Sequence, residues 1–145
     1  MTWRRLAIGA LAALALAWPA AAGEEPKRIA LEVLVAHISD QAGGIDPRGL
    51  ELHGKLADQF RYETLRVLDQ RRLDLPLGTV QSVDLPNGRL LNVRAFQLSS
   101  KGVLLGVTVT GSLQTDLRIP NGHLVVIGAE RFEDGKLVIS LEPSW

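Results

Sequence analysis

Leu85-Pro86-Asn87-Gly88-Arg89-Leu90-Leu91-Asn92-Val93 lies without a gap over Ile119-Pro120-Asn121-Gly122-His123-Leu124-Val125-Val126-Ile127, at an offset of 34 residues. Two apolar runs broken by Pro-Asn-Gly predict strands joined by tight hairpins, because Asn and Gly both tolerate the positive φ that a type I′ turn requires. The likeness continues downstream. Ala95 lies over Ala129, and Val103-Leu104-Leu105-Gly106-Val107 over Leu137-Val138-Ile139-Ser140-Leu141. The intervening Ser99-Ser100-Lys101-Gly102 and Glu133-Asp134-Gly135-Lys136 are rich in turn residues. Each copy therefore reads strand, Asn-Gly hairpin, strand, polar turn, strand. Two copies are too few for a solenoid, so the pattern predicts an antiparallel meander.

Working back from this repeat, Thr79 to Leu85, Arg71 to Leu77 and Tyr62 to Asp69 read as three further short strands of period two, with a turn or bulge at Pro76-Leu77-Gly78. Asp46-Pro47 is a helix start, with Asp as N-cap and Pro in the first helical position. Leu52, Leu56 and Phe60 recur every four residues after it, which predicts one amphipathic helix over 47–59, weakened by Gly49 and Gly54. Between Arg28 and Ser39, Ile29, Leu31, Val33 and Val35 alternate with Ala30, Glu32, Leu34 and Ala36. Both faces are largely apolar, the mark of a central strand. The fold expected is mainly β: an antiparallel sandwich or barrel-like meander of about seven to nine strands with one amphipathic helix.

Residues 1–22 read as a cleavable signal peptide. Arg4 and Arg5 give a positive start, Leu6 to Trp18 form an uncharged run of 13 residues, Pro19 breaks it, and Ala20-Ala21-Ala22 supplies small residues at the cleavage site. The run is short of the ~20 residues that span a bilayer core. Two arginines are common in ordinary secretory signals, and no wider twin-arginine motif surrounds these. Removing 22 residues from 145 leaves a single β-rich domain, 23–145, expected in the periplasm or secreted. The chain has no Cys, so neither a disulfide framework nor lipid attachment at a signal-peptide cysteine is available. Without Arg4 and Arg5, 14 basic residues face 16 acidic ones, and the surviving aromatics are Phe60, Tyr62, Phe96, Phe132 and Trp145. That balance and that scarcity give no footing for nucleic acid, for an anionic membrane or for base stacking. Nor do they suit a membrane barrel with aromatic girdles, even with Trp145 as the last residue.

Chemistry-bearing motifs are sparse. His37, His53 and His123 fall on a strand end, a helix and a hairpin flank with no partner at ligand spacing, so neither a metal nor a cofactor is expected. No Gly-x-Ser-x-Gly elbow occurs, Gly43-Gly44 lacks the Lys and Ser or Thr of a phosphate loop, and Glu130, Glu133 and Asp134 read as a solvated face near a turn. Arg61, Arg66, Arg71 and Arg72 make a locally basic stretch interleaved with Glu63, Asp69 and Asp74. Exposed ion pairs explain it, at about 0–1 kcal/mol each. A docking patch for an acidic protein partner is the functional alternative.

Gln114-Thr115-Asp116-Leu117-Arg118-Ile119-Pro120-Asn121-Gly122-His123-Leu124-Val125-Val126-Ile127-Gly128-Ala129 resembles a hairpin in the C-terminal domain of bacterial outer-membrane secretins. In that family a Thr precedes a strand, then Asp-Gly or Asn-Gly, then an apolar strand ending in a glycine pair; here the second glycine is Ala129. The likeness covers 16 of 145 residues and implies a β-domain related to, or working beside, an envelope secretion apparatus. Together these features predict a non-catalytic periplasmic β-domain that binds a protein or assists envelope assembly, through an exposed strand edge and the arginines. The alternative is a small-ligand binder or hydrolase whose site forms only in three dimensions, beside the 39–46 loop and the Asp46 helix start.

Overall fold

A computed structural model describes residues 27–145, and the signal-peptide reading lies outside the described residues. Strand β1 (Arg28–Ser39) has the central position that its two apolar faces require. It pairs antiparallel on one side with β2 (Thr64–Pro76) and on the other with β8 (Gly135–Ser144), which in turn pairs with β7 (Val125–Phe132). The second sheet is a true meander of β3 (Val80–Asp84), β4 (Leu90–Ser99), β5 (Gly102–Val109) and β6 (Leu113–Ile119). The described residues thus form two four-stranded sheets, ordered β2-β1-β8-β7 and β3-β4-β5-β6. Among the described residues no pairing joins their edges, so the sandwich alternative holds and the barrel does not.

The alternation along β1 shows how the layers stack. Ile29, Leu31, Val33 and Val35 face the second sheet and join Leu91, Val93, Val103, Leu105, Val107 and Ile119 in the main core. Leu34, Ala36 and Ile38 point the other way, onto α1 (Leu50–Leu56), where they meet Leu52, Leu56, Leu65, Val67 and Val138. One helix therefore covers the outer face of the β1-containing sheet, and three layers result. Asp46 caps the entry as expected: its carboxylate accepts the Arg48 amide at 3.0 Å. The helical segment is shorter than the 47–59 expected. Pro47–Gly49 forms a 3-10 turn, and α1 ends at Leu56, whose carbonyl accepts both the Gln59 and Phe60 amides. Gly49 is a glycine because a Cβ there would meet the Leu65 side chain.

Three strand expectations change. Tyr62–Asp69 and Arg71–Leu77 are one strand, not two: β2 pairs with β1 from Thr64 to Pro76, interrupted only by a bulge at Leu68. The bulge reverses the facing of successive residues. Leu65 and Val67 pack on the helix side, whereas Leu73 and Leu75 pack into the main core. Second, neither Pro-Asn-Gly is a type I′ turn, since Glu133 is the sole non-glycine residue with positive φ among those described. In the first copy Pro86 takes the first central position, and a proline φ near −65° forbids the positive φ needed there. Instead Gly88 (φ 79°) follows a turn closed by its amide on the Leu85 carbonyl at 3.1 Å. Third, the two copies of the repeat are built differently. Pro86-Asn87-Gly88 joins β3 to β4 as a hairpin, but Pro120-Asn121-Gly122 carries the chain from β6 in one sheet to β7 in the other. There Asn121 donates from Nδ2 to the Trp145 carbonyl at 2.9 Å and accepts the Trp145 amide on Oδ1 at 3.2 Å. Residues 114–129 thus form β6, a corner and most of β7, divided between the two sheets.

Candidate functional site

At one end of the β1-containing sheet, three segments distant in sequence meet around a cavity of about 510 Å³. They are the end of β1 with its following residue (Ile38, Ser39, Asp40), the 59–62 connection (including Phe60, Arg61 and Tyr62) and the β7–β8 hairpin (including Arg131, Glu133 and Lys136). Register places them. Because β1 pairs with β8, Ser39 lies opposite Gly135, and the hairpin tip falls beside the strand end. Gly135 permits this approach, since a Cβ there would collide with the Ile38 carbonyl. With that glycine fixed in the strand, the tip bends at Glu133, whose φ is 52°.

The tip also reaches a histidine. His37 is 5% exposed. Its Nε2 lies 3.2 Å from the Phe132 carbonyl oxygen and 3.2 Å from Asp134 Oδ1. The imidazole meets the Phe132 ring edge-on at 5.9 Å. Glu133 completes a set in which one ligand atom of each of His37, Glu133 and Asp134 lies within 4.8 Å of the others. The local sequence pattern isolates His37 and makes Glu133 and Asp134 a solvated face near a turn. No spacing signal joins positions almost a hundred residues apart. The pairing of β1 with the strand after the Glu133-Asp134-Gly135 turn would have revealed the grouping.

The cavity wall carries both signs of charge: Arg61, Arg131 and Lys136 against Asp40, Glu133 and Asp134. The Lys136 ammonium sits 4.8 Å from the centre of the Phe60 ring, a contact that holds both side chains at the rim. Behind the rim, His53 Nδ1 lies 2.6 Å from the Tyr62 hydroxyl, and burial raises the Tyr62 pKa. His53 therefore pairs with Tyr62 rather than converging with His37. Ser39 lines the cavity too.

The four arginines of the basic stretch are not gathered on one face. Arg61 lies in the connection and lines the cavity. Arg66 and Arg71 pair with His37 and Val33 of β1, on the side facing the second sheet, whereas Arg72 pairs with Glu32 on the helix side. Arg71 is held by Asp69 at 2.9 Å, and Arg28 by Asp74 at 2.7 Å, so exposed ion pairs account for part of this charge. The edge of β2 is also partly covered. Asp46 N–H donates to the Leu65 carbonyl, Leu65 N–H to Gly44, and Val67 N–H to the Asp46 carboxylate at 3.2 Å. The Asp46 carboxylate, held well below its usual range at about 2 by Arg48, itself fills the helix start beside which a ligand site was the alternative expectation.

A second polar cavity of about 340 Å³ lies between α1 and the sheet. Glu32 and Glu142 pair directly across β1 and β8, and Glu51 of α1 approaches them. Burial raises the Glu142 pKa, and the Glu51 and Glu32 charges raise it further. No protein-family model, curated protein or solved structure matches the chain.

Proposed function

We propose that the chain is an exported, non-catalytic binding domain that docks a protein of the bacterial envelope, with the cavity between the 59–62 connection and the β7–β8 hairpin as its docking surface. One observation carries this reading: that cavity is rimmed by exposed side chains of both signs, held next to the Phe60 and Tyr62 rings. Small-molecule sites are mostly apolar and enclose their ligand, whereas a charged rim beside aromatic anchors suits a protein surface. Arg61 is the member of the basic stretch that such a partner would meet. Arg66, Arg71 and Arg72 lie along an edge strand and contribute to steering rather than to the contact itself.

A photo-crosslinking residue at position 61 or 136, tested in intact cells against the same residue at position 72, separates the outcomes. One dominant adduct at 61 and 136, absent at 72, with the adduct at 61 lost on Lys136→Glu, is the expected result. No discrete adduct at the cavity positions, or equal capture at all three, would overturn the reading.

The volume itself favours a second reading, a small polar ligand, since about 510 Å³ falls within the range of small-molecule sites. A ligand that raises the melting temperature of the purified protein and loses this effect in Arg61→Ala would replace protein docking with that function.

A further inference from the structure

Two acidic residues of the cavity rim, Glu133 and Asp134, meet the buried His37 at the β7–β8 hairpin tip. We infer that His37, Glu133 and Asp134 form a binding site for a divalent first-row transition ion of the zinc class. The donors are one imidazole nitrogen and two carboxylates, a mixed nitrogen and oxygen set typical of zinc and its neighbours rather than of calcium or magnesium. The spacing fits as well. Bonds of about 2.0–2.2 Å to a tetrahedral ion place neighbouring ligand atoms about 3.3–3.5 Å apart. His37 Nε2 stands 3.2 Å from Asp134 Oδ1, close to that edge length. Glu133, exposed at the tip, has a carboxylate oxygen within 4.8 Å of both and supplies the third position.

Burial and backbone support the same assignment. His37 is fixed in the middle strand of its sheet and 5% exposed, so the nitrogen pays little entropy to be held in place. Its Nε2 faces the hairpin tip, 3.2 Å from Asp134 Oδ1 and 3.2 Å from the Phe132 carbonyl oxygen. The tip that carries both carboxylates is positioned by the close contact of Gly135 with Ile38 and by the positive φ of Glu133. Without an ion, Nε2–H donates to the Phe132 carbonyl, and Asp134 Oδ1 lies 3.2 Å from the same nitrogen. An ion takes the place of that proton: the ring carries its hydrogen on Nδ1, one proton leaves for solvent if the imidazole was charged, and Nε2 donates its lone pair to the metal. Phe132 O, 3.2 Å from the same nitrogen, and water are the candidates for the fourth position.

The assignment is independent of protein docking, because it is read on the purified protein alone. Tag-free protein is titrated with Zn²⁺ by calorimetry and with Co²⁺ by visible absorption, which reports tetrahedral nitrogen and oxygen ligation directly. One ion per chain is expected, with affinity falling at least roughly tenfold in Asp134→Asn and in Glu133→Gln and unchanged in His123→Gln. The two carboxylate variants lie on the exposed tip and keep the fold, so the test does not depend on the buried His37→Gln. Absence of stoichiometric binding in the wild-type protein, or binding that survives both carboxylate substitutions, would overturn the assignment.

Discussion

Asn121 grips Trp145 with both ends of its amide, donating to the backbone carbonyl at 2.9 Å and accepting the backbone N–H at 3.2 Å. The corner that passes the chain between the two sheets is thereby tied to the residue that follows β8. Gly122 adds to the tie by donating to the Pro143 carbonyl at 2.8 Å. Asn121→Ala removes both side-chain bonds at an exposed site, and a loss of about 1–2 kcal/mol is expected from urea unfolding. Asn87→Ala, at the matching position of the hairpin copy, removes one bond to Arg89 N–H and a long contact to Glu130, and should cost about half as much.

Asp46 makes stability depend on acid. Its carboxylate is held at about 2, chiefly by the Arg48 guanidinium and amide, against an ordinary value near 3.8. A carboxyl whose folded pKa is depressed adds stability that is full above the unfolded value and lost as pH falls through the folded one. The urea midpoint of the wild type should therefore exceed that of Asp46→Asn at pH 6, and the gap should close between about pH 4 and pH 2.

Glu142 works in the opposite sense. Burial, then the neighbouring Glu51 and Glu32, raises its pKa, so the charged form is penalised in the fold. The stability linked to its protonation is present below the unfolded pKa and fades as pH rises through the higher folded value. Glu142→Gln is expected to raise the melting temperature at pH 7 and to leave it unchanged at pH 3.5.

Two glycines should respond oppositely to alanine. Gly135 presses against the Ile38 carbonyl, and a methyl group there forces backbone apart, costing about 1–3 kcal/mol. Gly54 lies in α1 with open space around the missing Cβ, so Gly54→Ala should stabilise by about 0.5–1 kcal/mol. Chemical denaturation of both variants checks the pair. Gly135→Ala should also shift the His37 ring resonances, because the hairpin tip moves with it.

Leu56→Ala tests the third layer. Leu56 is 1% exposed and lies with Leu52 against the outer face of the β1-containing sheet. A loss of about 2–5 kcal/mol is expected from equilibrium unfolding.

Where the sequence told the truth, each residue answered to neighbours close in the chain. The two apolar faces of 28–39, the Asp46-Pro47 start and the hairpin connection at 86–88, though not its turn type, needed nothing distant to be read. Where it misled, a long-range arrangement intervened. The bulge at Leu68 reversed the parity of β2 midway, so one strand read as two. The corner at Asn121 has the composition of a hairpin, yet its flanking strands found partners in different sheets. The grouping of His37 with Glu133 and Asp134 depends on register between β1 and β8, which no local pattern encodes.

The pairing of β1 with β8 also governs how the chain acquires its structure. Ala30 through Ser39 take their partners from Gly135 through Ser144, near the opposite end of the sequence. One of the two ladders of β1 is completed only by residues synthesised about a hundred positions later. The β3–β6 meander, whose contacts are between successive strands, has no such dependence and can form as an early nucleus. Loop closure over about a hundred residues then sets the pace of the remaining step, and a chain lacking β8 would keep one sheet while leaving β1 half-paired and adhesive.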